Sequence, residues 1–170
     1  TILWGYGATL SCATSQFNAL DFVNGGGVYG LTLTGAGNTA YDADGVAIKC
    51  DGTNNDPAAP TFVNAPKIID CTITEWGSYG VFFNYVNGGV VENCDITQIG
   101  YAAVGGCSCN DTVVKNNRID YVTPGSAGGD AYGVFLDRYD GSSETEEPRS
   151  YRCVIDGNTI KNVTTTSAVN

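Results

Sequence analysis

Leu10, Leu33, Ile73, Ile96, Ile119 and Ile160 are separated by 23, 40, 23, 23 and 41 residues. Three of these intervals share one period, and the other two exceed it by 17 and 18 residues. A repeat of this length implies a solenoid, because a single unit cannot bury its apolar face until a neighbour stacks on it.

The residues around each anchor repeat as well. Lys67-Ile-Ile-Asp-Cys-Thr-Ile-Thr74 aligns with Val90-Val-Glu-Asn-Cys-Asp-Ile-Thr97, Val113-Val-Lys-Asn-Asn-Arg-Ile-Asp120 and Val154-Ile-Asp-Gly-Asn-Thr-Ile-Lys161. Each reads as strand, polar turn, strand. Val28-Tyr-Gly-Leu-Thr-Leu33 and Trp4-Gly-Tyr-Gly-Ala-Thr-Leu10 follow the scheme more loosely. Twenty-three glycines and no Met, in a chain rich in Asn, Thr and Val, favour strands and turns. No segment carries a helical period.

A second strand type recurs between the anchors and supplies the other wall. Asp44-Gly-Val-Ala-Ile-Lys-Cys50, Tyr79-Gly-Val-Phe-Phe-Asn-Tyr85, Tyr101-Ala-Ala-Val-Gly-Gly-Cys107 and Tyr132-Gly-Val-Phe-Leu-Asp-Arg138 overlay without gaps. Alternation then sends Val46, Val81, Ala103 and Val134 into the core, with Ile48, Phe83, Gly105 and Leu136. The outer face carries Ala47, Phe82, Val104 and Phe135, then the ladder Lys49, Asn84, Gly106 and Asp137. Two excursions interrupt the coils, from Cys50 to Pro66 and from Tyr139 to Arg152, and solenoid insertions map to loops. Glu144, Glu146 and Glu147 in the second read as a solvated acidic loop.

Cys71 and Cys94 occupy one place in successive repeats, so they are expected as stacked, buried thiols. Spacing leaves disulfides of Cys12, Cys50 or Cys153 open. Cys107-Ser-Cys109, in a chain with no His, does not make a zinc site. Asp42-Ala-Asp-Gly45 is a fragment of a calcium loop without the remaining ligands, so no metal and no cofactor is expected. Asn93 with Asn116, and Asn117 with Asn158, share register and read as structural turn residues. Asn110-Asp-Thr112 and Asn162-Val-Thr164 match the glycosylation pattern, as an Asn- and Thr-rich chain does by chance.

Eight basic against eighteen acidic residues give a net charge of −10, which repels a phosphate backbone. Nucleic acid is therefore not an expected partner. No apolar run reaches membrane-spanning length and no charged-then-apolar leader opens the chain, so no membrane association is expected either.

The units ending Asn-Cys-Asp-Ile96, Asn-Asn-Arg-Ile119 and Gly-Asn-Thr-Ile160, with Tyr-Gly-Val strands between them, resemble the right-handed parallel β-helix of the pectin-lyase-like kind. The likeness runs from about Gly27 to Val163. It implies an all-β, single-stranded solenoid of about six coils with two loop insertions, one domain over residues 1–170. Trp4-Gly-Tyr-Gly-Ala-Thr-Leu10 and the large loops resemble the central domains of bacteriophage tailspikes and related polysaccharide depolymerases. That resemblance implies a homotrimer or other phage-tail assembly, in the virion or outside the cell, that binds and cleaves a bacterial polysaccharide. Tyr132-Gly-Val-Phe-Leu-Asp137 also resembles the uronate C5-epimerases and lyases, although their His-containing segment has no counterpart here. A solenoid exposes backbone and core at both tips. The expectation is a piece of a longer protein, or a chain capped by partners.

Glycan hydrolysis needs two carboxyl groups about 5–5.5 or 6.5–9.5 Å apart, a spacing that stacked coils can supply. The richest segment is Asp130-Ala-Tyr-Gly-Val-Phe-Leu-Asp-Arg-Tyr-Asp140. Asp137, Asp130 and Asp140 are candidate catalytic carboxylates, and Glu75 beside Trp76 forms a second candidate site. Arg138 could hold a sugar carboxylate, and Tyr132, Tyr139, Tyr85 and Trp76 could stack on sugar rings. Asn84 and Lys49 complete the candidate substrate contacts, with Phe82 and Phe135 along the same wall. Three readings follow: a tailspike-like hydrolase, a uronate lyase or epimerase, and a non-catalytic structural or glycan-binding segment.

Overall fold

The computed structural model describes residues 1–14, 17–37, 45–52, 60–125, 129–137 and 149–165. Every regular element among them is a strand, and every strand pair is parallel. The first coil holds β1 (Ile2–Trp4), β2 (Thr9–Ser11) and β3 (Leu20–Phe22). The second holds β4 (Gly27–Tyr29), β5 (Thr32–Thr34), β6 (Val46–Asp51) and β7 (Val63–Asn64). The third and fourth follow with β8 (Lys67–Ile69), β9 (Thr72–Trp76), β10 (Tyr79–Asn87), β11 (Val90–Glu92), β12 (Asp95–Ile99) and β13 (Ala102–Asn110). The fifth comprises β14 (Val113–Lys115), β15 (Arg118–Val122) and β16 (Tyr132–Asp137), and β17 (Val154–Asp156) and β18 (Thr159–Ile160) begin a sixth.

Corresponding strands stack into three six-stranded sheets. The first runs β1-β4-β8-β11-β14-β17 and the second β18-β15-β12-β9-β5-β2. The third follows β16-β13-β10-β6-β3, with β7 extending it beside β10. This is the solenoid expected from the repeat and the parallel β-helix that the resemblance implies.

Leu10, Leu33, Ile73, Ile96, Ile119 and Ile160 pair in one column, in the order read from the sequence. The four central members are fully buried, whereas Leu10 and Ile160, on the first and last described coils, are exposed. A coil between two others is covered on both sides; an outermost one is covered on a single side.

Left-handed backbone angles mark the corners. The third residue before each anchor is Gly7, Gly30, Asp70, Asn93, Asn116 or Gly157, and all six have positive φ. Only Gly, Asn and Asp enter that region at low cost, so the polar turn in each repeat is a backbone requirement. A second corner repeats at Glu75, Gln98, Tyr121 and Asn162, and a third at Ala65, Gly88, Asp111 and Arg152.

Just inside the first corner lies a ladder, buried at Cys71, Cys94 and Asn117 and half-buried at Asn158. The side chain of each of the four donates to a backbone carbonyl one coil back: Cys71 to Val28 at 3.6 Å, Cys94 to Ile68 at 3.6 Å, Asn117 to Val91 at 3.0 Å, Asn158 to Val114 at 2.8 Å. In return Asn117 Oδ1 accepts the Cys94 N–H at 2.8 Å, and Asn158 Oδ1 the Asn117 N–H at 2.9 Å. Cysteine replaces asparagine here because a thiol is also both donor and acceptor, though a weak one. All seven cysteines are free.

The gapless overlay of the third-sheet strands needs correction. Tyr79 pairs with Ala102, and Ala102 with Tyr132, so β13 is displaced by one residue and Tyr101 stands at the corner before the strand. Val104, not Ala103, therefore joins Val81 and Val134, and a one-residue shift exchanges the faces of every side chain. Relative to β10, β6 is displaced by two residues, so Ile48 pairs with Val81 and Lys49 with Phe82. The insertions also divide differently. Leu33 to Ile48 and Ile119 to Val134 each take seven residues more than Ile73 to Val81, and the remaining extra residues follow β6 and β16.

Candidate functional site

The outer face of the third sheet carries the side chains that could engage a ligand. With the observed register, one ladder reads Asp21, Lys49, Phe82, Gly105, Phe135, and the next reads Asp51, Asn84, Cys107, Asp137. Phe82 and Phe135 are half-buried, whereas Val81 and Phe83 beside Phe82 are fully buried; that contrast fixes which face is outward.

Gly105 opens a notch between the two phenylalanines, and the ring of Tyr79 lies in it. A Cβ on Gly105 would stand 2.4 Å from a Tyr79 ring carbon. Tyr79 packs against Phe82 with centroids 4.6 Å apart and against Tyr101 at 5.2 Å. Tyr101 meets Tyr132 at 5.4 Å, and Tyr132 meets Phe135 at 4.9 Å. Five rings thus form a continuous row across three coils. These separations and tilts fall in the range where aromatic pairs attract.

Polar groups flank the row. The Tyr132 hydroxyl donates to Asp130 at 3.3 Å, and burial together with the Asp130 charge raises the phenol's pKa, so it stays a neutral donor. Asn84 Nδ2 donates to Asp51 Oδ1 at 2.8 Å, and Lys49 pairs with Asp51 at 2.7 Å. The Asn84 Oδ1 is buried without a hydrogen-bond partner. Asp137 is exposed and ends its ladder beside Cys107, whose thiol is pushed up to about 11 by burial and then by Asp137. Cys107 is therefore a neutral thiol at physiological pH, not a nucleophile. Leu136, Asp137, Arg149 and Ser150 line a recess of about 300 Å³.

Of the residues expected at a site, Tyr132, Asp130, Asn84, Lys49 and Asp137 share this face. Lys49 stands in the ladder of Phe82, and the cross-strand neighbour of Asn84 is Asp51. Arg138, Tyr139 and Asp140 lie outside the described residues, as do Asp42, Asp44, Glu144, Glu146 and Glu147. Trp76 is 1% exposed and its indole N–H points at the Leu33 carbonyl, 3.5 Å away. Tyr85 is 3% exposed with its ring against Phe62. Neither ring has a free face for a sugar, which corrects the expectation for both. Glu75 occupies a left-handed corner at φ 65°. Tyr79 and Tyr101 were missed by the sequence reading, and the 23-residue period, which sends Tyr79 to Ala102, is the signal that finds them.

A carboxylate pair at hydrolytic spacing does not form around Asp137 along its ladder. Asp51 is three strands away, about 14 Å at 4.8 Å per step, and Asp130 lies beyond the other end of β16, about 16 Å along the strand or more. Both exceed the separations that glycoside hydrolysis uses. The arrangement suits binding: ring faces for sugar C–H surfaces, with carboxylates and an amide beside them for hydroxyls. No cluster of metal-ligating side chains occurs among the described residues.

A family model described as a right handed beta helix region matches residues 32–169. No curated protein matches the chain. No solved structure matches it.

Proposed function

Because the chain belongs to the right-handed β-helix family, whose stacked coils turn one strand position into a continuous surface row, we propose that it binds a glycan along the aromatic row of its third sheet. The family and fold make it a polysaccharide-related or structural β-helix. One observation supports binding over a purely structural role: Phe82, Tyr79, Tyr101, Tyr132 and Phe135 form one unbroken run of tilted and edge-to-face ring contacts on the outer face. A buried core has no use for five large rings outside it, and each ring offers a sugar a flat apolar surface with a polar rim.

The ligand in this reading is a bacterial surface polysaccharide, and the setting is a tailspike-like homotrimer in a virion or otherwise outside the cell. Hydrolysis would require a second carboxylate brought to Asp137, from the segment containing Asp140 or from a neighbouring subunit. The uronate lyase or epimerase reading has less support, since Arg138, the residue expected to hold a sugar carboxylate, lies outside the described residues and Lys49 is paired with Asp51.

The test is calorimetric titration of the chain with a panel of purified bacterial surface polysaccharides, repeated with Phe82→Ala and Tyr132→Ala. Binding that weakens in both variants, with melting temperature held, supports the proposal. Binding indifferent to both substitutions refutes it. Reducing-end release and absorbance near 235 nm, followed in parallel, separate hydrolysis from elimination.

A further inference from the structure

Resting on that glycan-binding reading, we propose that the β16 end of the row is a subsite for an amino sugar with a free, protonated amine. Two features converge there. Tyr101 and Tyr132 meet edge to face at 5.4 Å, and the Tyr132 hydroxyl is joined to the Asp130 carboxylate at 3.3 Å. An ammonium over a tyrosine face is attracted by the ring quadrupole when it lies within about 6 Å of the centroid. A carboxylate at the edge of that ring adds a charge-assisted acceptor for the same N–H groups. A neutral sugar would use the rings alone, and a uronate would meet like charge.

The other charged groups around the row keep this polarity. Asp137 is two residues beyond Phe135 on the same face, and Arg149 lines the recess beside it, so the Arg149 charge falls on the Asp137 side. Asp130 is in hydrogen-bond contact with Tyr132. At the far end Lys49, beside Phe82, is paired with Asp51 and stands opposite Asp21. The phenol of Tyr132, raised by burial and by Asp130, stays protonated and preserves the contact to the carboxylate through neutral pH. The overall charge of −10 further attracts a polycationic chain at long range.

The experiment compares three soluble oligomers of equal length: glucosamine, N-acetylglucosamine and galacturonate. Each is titrated calorimetrically into the full chain at low and high salt, and into Asp130→Asn and Asp137→Asn. The expected result is that the free-amine oligomer binds about tenfold tighter than the acetylated one, the scale of one cation–π contact with a carboxylate. That preference falls with salt and disappears in Asp130→Asn, whose fold is checked by circular dichroism, and it survives in Asp137→Asn. Equal affinity for the amine and acetylated oligomers overturns the inference and leaves the aromatic platform standing. Preference for galacturonate, or binding of none of the three, also overturns it. The platform itself fails only if Phe82→Ala and Tyr132→Ala leave polysaccharide binding unchanged.

Discussion

Asn117 offers the sharpest test of how the coils are held together. Its side chain is 1% exposed and serves two backbone groups of the previous coil, accepting from Cys94 N–H at 2.8 Å and donating to the Val91 carbonyl at 3.0 Å. Asn117→Ala leaves the Cys94 N–H buried without a partner and takes from the Val91 carbonyl, which stays in the β11–β14 ladder, its second donor, so a loss of about 2 kcal/mol is expected. In a chain of 170 residues that lowers the melting temperature by roughly 4–8 °C. Asn117→Cys installs the residue already present at positions 71 and 94, where the thiol makes the same carbonyl contact at 3.6 Å. It should cost only about 1 kcal/mol, since a weak partner is better than none. Urea unfolding followed by circular dichroism gives the order of the two variants. Native-state hydrogen exchange at the Cys94 amide reports the site itself, because coils of a solenoid open semi-independently. If alanine and cysteine variants agree within about 0.5 kcal/mol, with Cys94 equally protected, the ladder's hydrogen bonds are not what holds this corner.

Burial raises the Cys50 thiol to about 12 from 9.0, and raises Cys109 further, so the folded chain keeps protons that the unfolded chain loses above pH 9. The contribution of these thiols to stability is therefore flat to about pH 8.5 and then falls, by about 1.4 kcal/mol per thiol at pH 10, and Cys50→Ala should remove its own share, about 1.4 kcal/mol at pH 10, in urea midpoints measured from pH 7 to 10. Ile96→Ala empties a fully buried place in the anchor column and should cost about 2–5 kcal/mol by the same assay, whereas Ile160→Ala, on an exposed anchor, should cost under about 1 kcal/mol. Gly105→Ala drives the Tyr79 ring out of its notch and should weaken glycan binding severalfold while shifting stability by about 1 kcal/mol or less, because the clash is with an outward side chain; an unchanged affinity would remove Tyr79 from the site.

The fold was legible because its determinants are periodic. The anchor column, the polar residue three places before each anchor and the Cys71 and Cys94 pair all recur at the coil's own spacing, so they could be stacked on paper. The third sheet was harder. Matching Tyr79 with Tyr101 by residue type cost one residue of register, and that sufficed to turn Gly105 inward on paper and hide the notch. Tyrosine identity carries little backbone information, whereas the chain's period is imposed by every coil at once. Trp76 and Tyr85 failed for a different reason: nothing in the local sequence states whether a ring at a corner packs under it or stands outside it.

Where the chain departs from its period also bears on which face is functional. From the second coil to the last, the step from first sheet to second is constant: Val28 to Leu33, Ile68 to Ile73, Val91 to Ile96, Val114 to Ile119 and Ile155 to Ile160 each span five residues. All of the extra length is taken up immediately before and after β6 and β16, both in the third sheet. A β-helix tolerates insertion at any corner, since loop length costs little once the coils are stacked. Confinement to the two ends of one sheet's strands is therefore not required by the fold. The aromatic row lies on β10 and β16 of that same sheet and at the corner before β13, and loops that carry function gather where a rigid scaffold presents the ligand surface. The row and the insertions are independent features, one of side-chain type and one of chain length, and they select the same face.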